Sequence, residues 1–153
     1  MDIEHADRPL VSLTVAGIAR RGHEYLLVEE HIRGQRFLNQ PAGHVEPGET
    51  LLEAVIREVR EETRYAFEPT ELLGVYHDNP REGRRVLRVA IIGEIGDDTD
   101  DHPLDDGILA AHFMSREALE RTEIPHRSPF VTAAIRDFEQ GNRYPLDLLH
   151  SIR

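Results

Sequence analysis

The sequence predicts a mixed α/β domain. Three observations carry this. Short β-branched segments such as Leu10–Ala19 and Arg84–Ile95 read as strands. A strongly amphipathic segment, Leu51–Thr63, reads as a helix. The chain has 153 residues, enough for one real core and too few for two, so one domain covering residues 1–153 is expected.

Taken in order, Leu10–Ala19 is the first strand, Arg21-Gly22-His23 a turn, and Glu24–Glu30 a returning strand. Phe37–Gln40 is a short extended piece leading to Gly43. The helix over Leu51–Thr63 has Thr50 as its N-cap, and Glu53 completes a capping box. Leu51, Leu52, Val55, Ile56 and Val59 form its apolar stripe. Leu72–His77 and Arg84–Ile95 are strands joined through the loop from Asn79 to Gly83, and Ile108–Phe113 is a further short strand. Ser115 caps a short helix ending near Arg121. A last helix starts at Ser128-Pro129 and stops at Gly141.

Composition narrows the function. A net charge of −11 argues against non-specific binding to nucleic acid or to an anionic membrane surface. A phosphorylated small molecule stays compatible, because metal ions reverse the local field. With no cysteine, a thiol nucleophile and a disulfide framework are excluded. The first residues, MDIEHADRPL, lack the form of a signal peptide, and no apolar run reaches spanning length. The expected location is cytoplasmic and the expected assembly a monomer or homodimer.

The chemistry concentrates in GHVEPGETLLEAVIREVREETRY, residues 43–65. Glu58, Glu61 and Glu62 share one helix face, with Glu62 at the edge of the buried side, while Arg57, Arg60 and Arg64 fall toward solvent with Glu53. Carboxylates so close repel one another, and partial burial disfavours their charged forms. A hard divalent cation relieves both effects. Magnesium takes oxygen ligands and shares them with substrate phosphates and water. The plainer alternative is a solvated acidic face laced with Arg–Glu pairs, but the Gly43 loop and Glu49 precede this helix at a fixed spacing, which weighs against it.

That segment resembles the Nudix box, G-x5-E-x7-R-E-U-x-E-E-x-G-U, where U is a bulky aliphatic or similar residue. Gly43, Glu49, Arg57, Glu58, Val59, Glu61, Glu62 and Tyr65 match in order and spacing. Arg64 stands where the family usually has glycine, in a left-handed helix-ending position. Val28-Glu29-Glu30, Asn39-Gln40-Pro41-Ala42-Gly43-His44, Arg127-Ser128-Pro129 and Gly141-Asn142-Arg143-Tyr144-Pro145-Leu146 resemble one bacterial branch, the NudJ-type phosphatases. The resemblance implies an α/β/α sandwich with a mixed β-sheet. It implies a magnesium-dependent hydrolase, with manganese as a substitute metal. The expected substrates are nucleoside di- and triphosphates or thiamine-related pyrophosphates, namely hydroxymethylpyrimidine pyrophosphate and thiamine pyrophosphate.

The roles that follow are expectations. Glu61 and Glu62 are the chief metal ligands with the Gly43 carbonyl, and Glu49 is a weaker ligand or supporting group. Glu58 orients or activates water and touches metal, and Arg57 orients a box carboxylate. Arg36, Gln40 and Arg88 are candidate substrate contacts, the last set against a solvated strand face. His44 and Ser128 read as structural or capping residues before ligand contacts, and Phe37 as a base-stacking candidate or core. The acidic run from Gly96 to Asp101, continued by Asp105-Asp106, reads first as a solvated loop, with Asp105 or Asp106 as an alternative base or ligand. Two other readings stay open: a hydrolase of linked nucleoside diphosphates such as ADP-ribose or dinucleoside polyphosphates, and a non-catalytic nucleotide-binding module.

Overall fold

A computed structural model describes residues 8–152. Most of the N-terminal segment read above for a targeting signal therefore lies outside the described residues. Strands β1 (Val11–Ile18), β2 (Arg20–Arg21), β3 (Glu24–Ile32), β4 (Gln35–Asn39) and β5 (Ala42–His44) precede helix α1 (Leu51–Thr63). Strands β6 (Tyr65–Asp78), β7 (Arg85–Thr99) and β8 (Ile108–Ser115) follow, then α2 (Arg116–Arg121), α3 (Phe130–Glu139) and a 3-10 turn at Leu146–Leu148.

The strands form two sheets. One has the order β5-β1-β7-β6 and is mixed, since β1 runs parallel to β7 while β5 and β6 pair antiparallel to their neighbours. The other pairs β3 with β2, β4 and β8, all antiparallel. The chain passes between sheets at Ala19, whose carbonyl accepts from the Leu26 N–H.

Alternation along the strands sets the layers. Val89 and Ile91 of β7 face the cluster that holds Ala54, Val55 and Val59 of α1. Ala90 and Ile92 face the opposite cluster, with Val131, Ala134, Ile135 and Phe138 of α3. Helices thus cover both faces of the strands, and the fold is the expected α/β/α sandwich. Gly17 of β1 lets α1 approach closely; a Cβ there would stand 2.6 Å from a Val59 methyl.

The reading of α1 matches its bounds, and the Thr50–Glu53 capping box is complete. Three points differ. Strands β6 and β7 run longer than their apolar stretches, because they pair through three register shifts that absorb Pro69 and the polar ends. For the same reason residues 96–99 of the acidic run continue β7 rather than forming a loop. Pro129, not Ser128, is the N-cap residue of α3, although the Ser128 hydroxyl does accept from the Phe130 N–H at 3.2 Å.

Candidate active site

The site lies where β5, α1 and the β7–β8 connection meet. Strand β5 lays Gly43 against α1, and the Ala42 N–H donates to Glu62 Oε1 at 2.8 Å. Gly43 is spatially compelled: a Cβ on it would overlap the Glu58 carboxylate. Only glycine lets this strand meet that side chain.

Arg57 organises the outer half. Its Nε and Nη2 donate to the two Glu49 oxygens at 2.5 and 2.9 Å, and Nη1 donates to Glu58 at 2.8 Å and Glu61 at 3.2 Å. Nη2 also donates to the His44 carbonyl at 3.0 Å. The expectation that Arg57 faces solvent is therefore corrected. The side chain is 21% exposed and turned onto β5 and Glu49, because five acceptor oxygens on four residues outweigh free hydration. The hydrogen bonds from Arg57 hold the Glu49 carboxyl below its ordinary range. Glu49 also accepts from the Glu46 N–H, so its oxygens are committed inside the protein.

The inner carboxylates behave oppositely. Glu58 and Glu62 are buried. Burial raises both, Glu62 to about 9, helped by the neighbouring charges of Glu58, Glu30 and Asp105 and opposed by the Ala42 N–H. For Glu58 the Arg57 guanidinium opposes the rise. Carboxylate oxygens of Glu58, Glu61 and Asp105 lie within 4.8 Å of one another. This all-oxygen donor set beside a glycine backbone suits a hard divalent cation. Among the described residues, Glu49 and Glu62 stand outside that triad.

A cleft of about 600 Å³ opens beside it, lined in part by Glu62, Gly43, Arg88, Asn39, Arg127 and Phe130. The sequence left Arg88 between solvent and cleft, and the fold decides for the cleft. Arg88 is 8% exposed, lies 5.1 Å from the Phe130 ring centroid, and has an Nε without a hydrogen-bond partner. Burial lowers it to about 10, with Glu30 opposing. Asn39 bridges the side chains around it, donating to Glu30 at 2.8 Å while its carbonyl oxygen lies 3.5 Å from Arg88 Nη1. Arg84 and His44 touch each other at the rim, and burial followed by the Arg84 charge lowers the His44 pKa.

Two candidate substrate contacts are placed elsewhere. Gln40 is 2% exposed and its amide donates to the Val131 carbonyl at 2.9 Å, tying the segment just after β4 to α3 in the core. Arg36 points outward on β4 and pairs with Glu29 at 3.1 Å. Neither lines the cleft. Sequence reasoning placed them by nearness to Gly43, but alternation along an extended segment turns every second side chain away. Arg127, Ser128 and Pro129 line the cleft, where the resemblance puts that segment, whereas Glu30, Asn39 and Arg84 were not named as substrate contacts. The readable signal was Glu29-Glu30 ending an otherwise apolar strand.

Residues 10–134 match the NUDIX domain family. The chain is a Nudix hydrolase. It is 34% identical to Phosphatase NudJ of Escherichia coli K12 over 138 residues, covering 90% of this chain and 89% of that protein. A solved NUDIX hydrolase from Nitrosomonas europaea superposes with a TM-score of 0.87 at 41% identity, covering 93% of this chain and 97% of that one. The NUDIX domain of Shewanella oneidensis NrtR, solved with ADP ribose, shares the fold at a TM-score of 0.72 and 15% identity, covering 92% and 98%. As a member of this family the chain is an enzyme of the pyrophosphohydrolase class, acting on phosphoric anhydrides of small phosphorylated substrates.

Proposed function

We propose that this Nudix hydrolase releases orthophosphate from nucleoside di- or triphosphates, or from thiamine-related pyrophosphates, with magnesium as its metal and manganese as a substitute. One observation carries the reading: the Glu58–Glu61–Asp105 oxygens face each other beside a cleft whose inner wall holds the buried, incompletely bonded Arg88. Similarity to a phosphatase across nine-tenths of the chain supports the phosphatase branch. All 153 residues are taken as one domain acting in the cytoplasm. No helix among the described residues is long and apolar enough to cross a membrane.

When bound, a divalent cation neutralises phosphate oxygens and makes a water nucleophilic near neutral pH. The chain's own residues do the rest. Glu61 and Glu58 supply ligand oxygens, while Gly43 leaves room for Glu58. Glu58, held by Arg57, orients the attacking water and takes its proton. Water adds to the terminal phosphorus, the bridging P–O bond breaks, and the leaving oxygen carries away the bond's electron pair. Arg88 binds the phosphate oxygens, which restore the charge partner that burial denies it.

A hydrolysis panel tests this. Orthophosphate from simple di- and triphosphates or from hydroxymethylpyrimidine pyrophosphate is the expected product. Cleavage confined to ADP-ribose or dinucleoside polyphosphates, yielding two phosphorylated fragments, would replace it with the linked-diphosphate reading. Saturable nucleotide binding without any product would leave a binding module.

A further inference from the structure

The chain has five phenylalanines and four tyrosines, and among the described residues Phe130 alone of these lines the cleft. Tyr25, Phe67 and Phe138 are buried in the core. Tyr65 and Phe113 meet edge to face, with the Arg21 guanidinium over both rings. Phe37, the stacking candidate read from the sequence, lies 6.0 Å from the Arg127 guanidinium and does not line the cleft. Phe130 opens α3, is half-buried, and is held from behind. The Tyr76 ring packs against it at 62° with centroids 6.2 Å apart, and the Tyr76 hydroxyl donates to Asp137 at 2.6 Å. A side chain fixed this way loses little freedom when a ligand packs on it.

The same cleft has a polar wall from the other sheet. The Asn39 amide nitrogen donates to Glu30 Oε1 at 2.8 Å, which leaves Asn39 Oδ1 on the side of Arg88. Glu30 Oε2 has the Arg127 Nε at 3.7 Å, beyond hydrogen-bond length. Two acceptor oxygens of the wall therefore keep lone pairs for a ligand N–H. A planar heteroaromatic ring suits both features, with an apolar face for Phe130 and N–H groups on its edge for the oxygens. An alkyl chain would cover those oxygens without pairing them, which is unfavourable. Inorganic phosphate would reach neither. Arg88, 5.1 Å from the Phe130 ring centroid, sets this ring site beside the proposed phosphate contact.

We propose that Phe130 and the Glu30–Asn39 pair form a ring subsite, which selects phosphoric anhydrides carrying an N–H-bearing heteroaromatic ring over alkyl and inorganic ones. The inference rests on the hydrolase reading of the same cleft and narrows its substrate class.

Calorimetric titration in magnesium with non-cleavable probes tests this without relying on turnover. The ring-bearing probe is α,β-methylene-ADP. The ringless probes are methylenediphosphonate, its isopentenyl ester and its 5-ribosyl ester. Wild-type protein is expected to bind α,β-methylene-ADP about tenfold or more tighter than any ringless probe, the scale of one base–aromatic contact. Phe130→Ala and Phe130→Leu are expected to lose most of that advantage while holding methylenediphosphonate as wild type does. Glu30→Gln, which replaces a charged acceptor by a neutral amide, is expected to weaken the ring-bearing probe several-fold. Phe37→Ala serves as the control and matches wild type with every probe. Equal affinity for ring-bearing and ringless probes in wild type overturns the subsite, and so does an isopentenyl or ribosyl ester that binds as tightly as α,β-methylene-ADP. An equal loss for all probes in both Phe130 variants, or a ring-specific loss in Phe37→Ala instead, overturns the role of Phe130. Unchanged α,β-methylene-ADP affinity in Glu30→Gln overturns the edge contact. Ring-selective binding with an inactive substrate panel sinks the hydrolase reading alone, whereas wild-type protein that binds none of the probes sinks both.

Discussion

Two acidic regions of this chain share the sign of their charge and differ in burial and partners. On α1, Glu58 and Glu62 are buried against β5, raised by that burial, and surrounded by fixed donors. On the tail of β7 and just beyond it, Asp97, Asp98 and Asp101 stand exposed. There Asp100 meets Arg60 at 2.6 Å and Arg21 reaches Asp97 at 3.7 Å, both at the surface. Exposed pairs of this kind contribute little. Charge count therefore does not make a site. Burial against backbone that cannot move away makes one, because water no longer screens the carboxylates and a cation must. Asp105 follows the second region in sequence and is itself exposed, yet its carboxylate lies with Glu58 and Glu61.

The largest expected effect separates the two regions directly. Glu61→Gln, or Glu58→Gln, is expected to lower kcat by roughly 10²-fold or more while circular dichroism shows an intact fold. Steady-state kinetics at saturating magnesium provides the comparison, and two variants with wild-type turnover would refute the site. Asp98→Asn is expected to stay within about twofold of wild type in the same assay, in keeping with an exposed side chain.

Gly43→Ala attacks the enforced contact. The added methyl must displace Glu58, so stability should fall by about 1–3 kcal/mol, measured by urea unfolding, and activity should fall with it. An active Gly43→Ala protein of wild-type stability would show that the strand yields.

Arg57→Ala removes donors to Glu49, Glu58 and Glu61 together. A loss of about 1–3 kcal/mol is expected for hydrogen bonds to charged groups, held below a fully buried pair by the partial exposure of Arg57. Chemical denaturation of the metal-free protein measures it, and salt should weaken the wild-type advantage only slightly.

The smallest effect is a pH dependence. Glu62 sits at about 9 in the metal-free fold against 4.5 as its reference. Between these values the folded state binds more protons than the unfolded state, so this group makes metal-free stability fall as pH rises. Its contribution is fully present below the reference value and lost through the folded one. Magnesium offsets the charge, so its increment in thermal midpoint should grow from pH 6 to pH 9. Differential scanning fluorimetry with chelator and with magnesium decides; an increment that shrinks with pH would contradict the buried-carboxylate account.

Much of this was legible before any coordinates. Helix α1, its capping box and the shared face of Glu58, Glu61 and Glu62 all follow from interactions within a few residues, whereas only the structure shows that Arg64 keeps the left-handed conformation. The family was legible too, since the box is one continuous segment. Periodicity also predicted most strands, but it missed how far β6 and β7 continue. Their ends are held by pairing with each other, not by their own apolar content.

The sequence by itself determined which groups the helix carries and at what spacing, because helical geometry is local and nearly invariant. The tertiary structure alone decided what each group faces. It turned Arg57 inward onto Glu49, sent Gln40 into the core and Arg36 to the surface, placed Arg88 in the cleft, and returned Asp105 to Glu58 and Glu61. Each outcome depends on partners far along the chain, brought together when the sheets and α1 bury their apolar faces, and no local pattern encodes such a meeting.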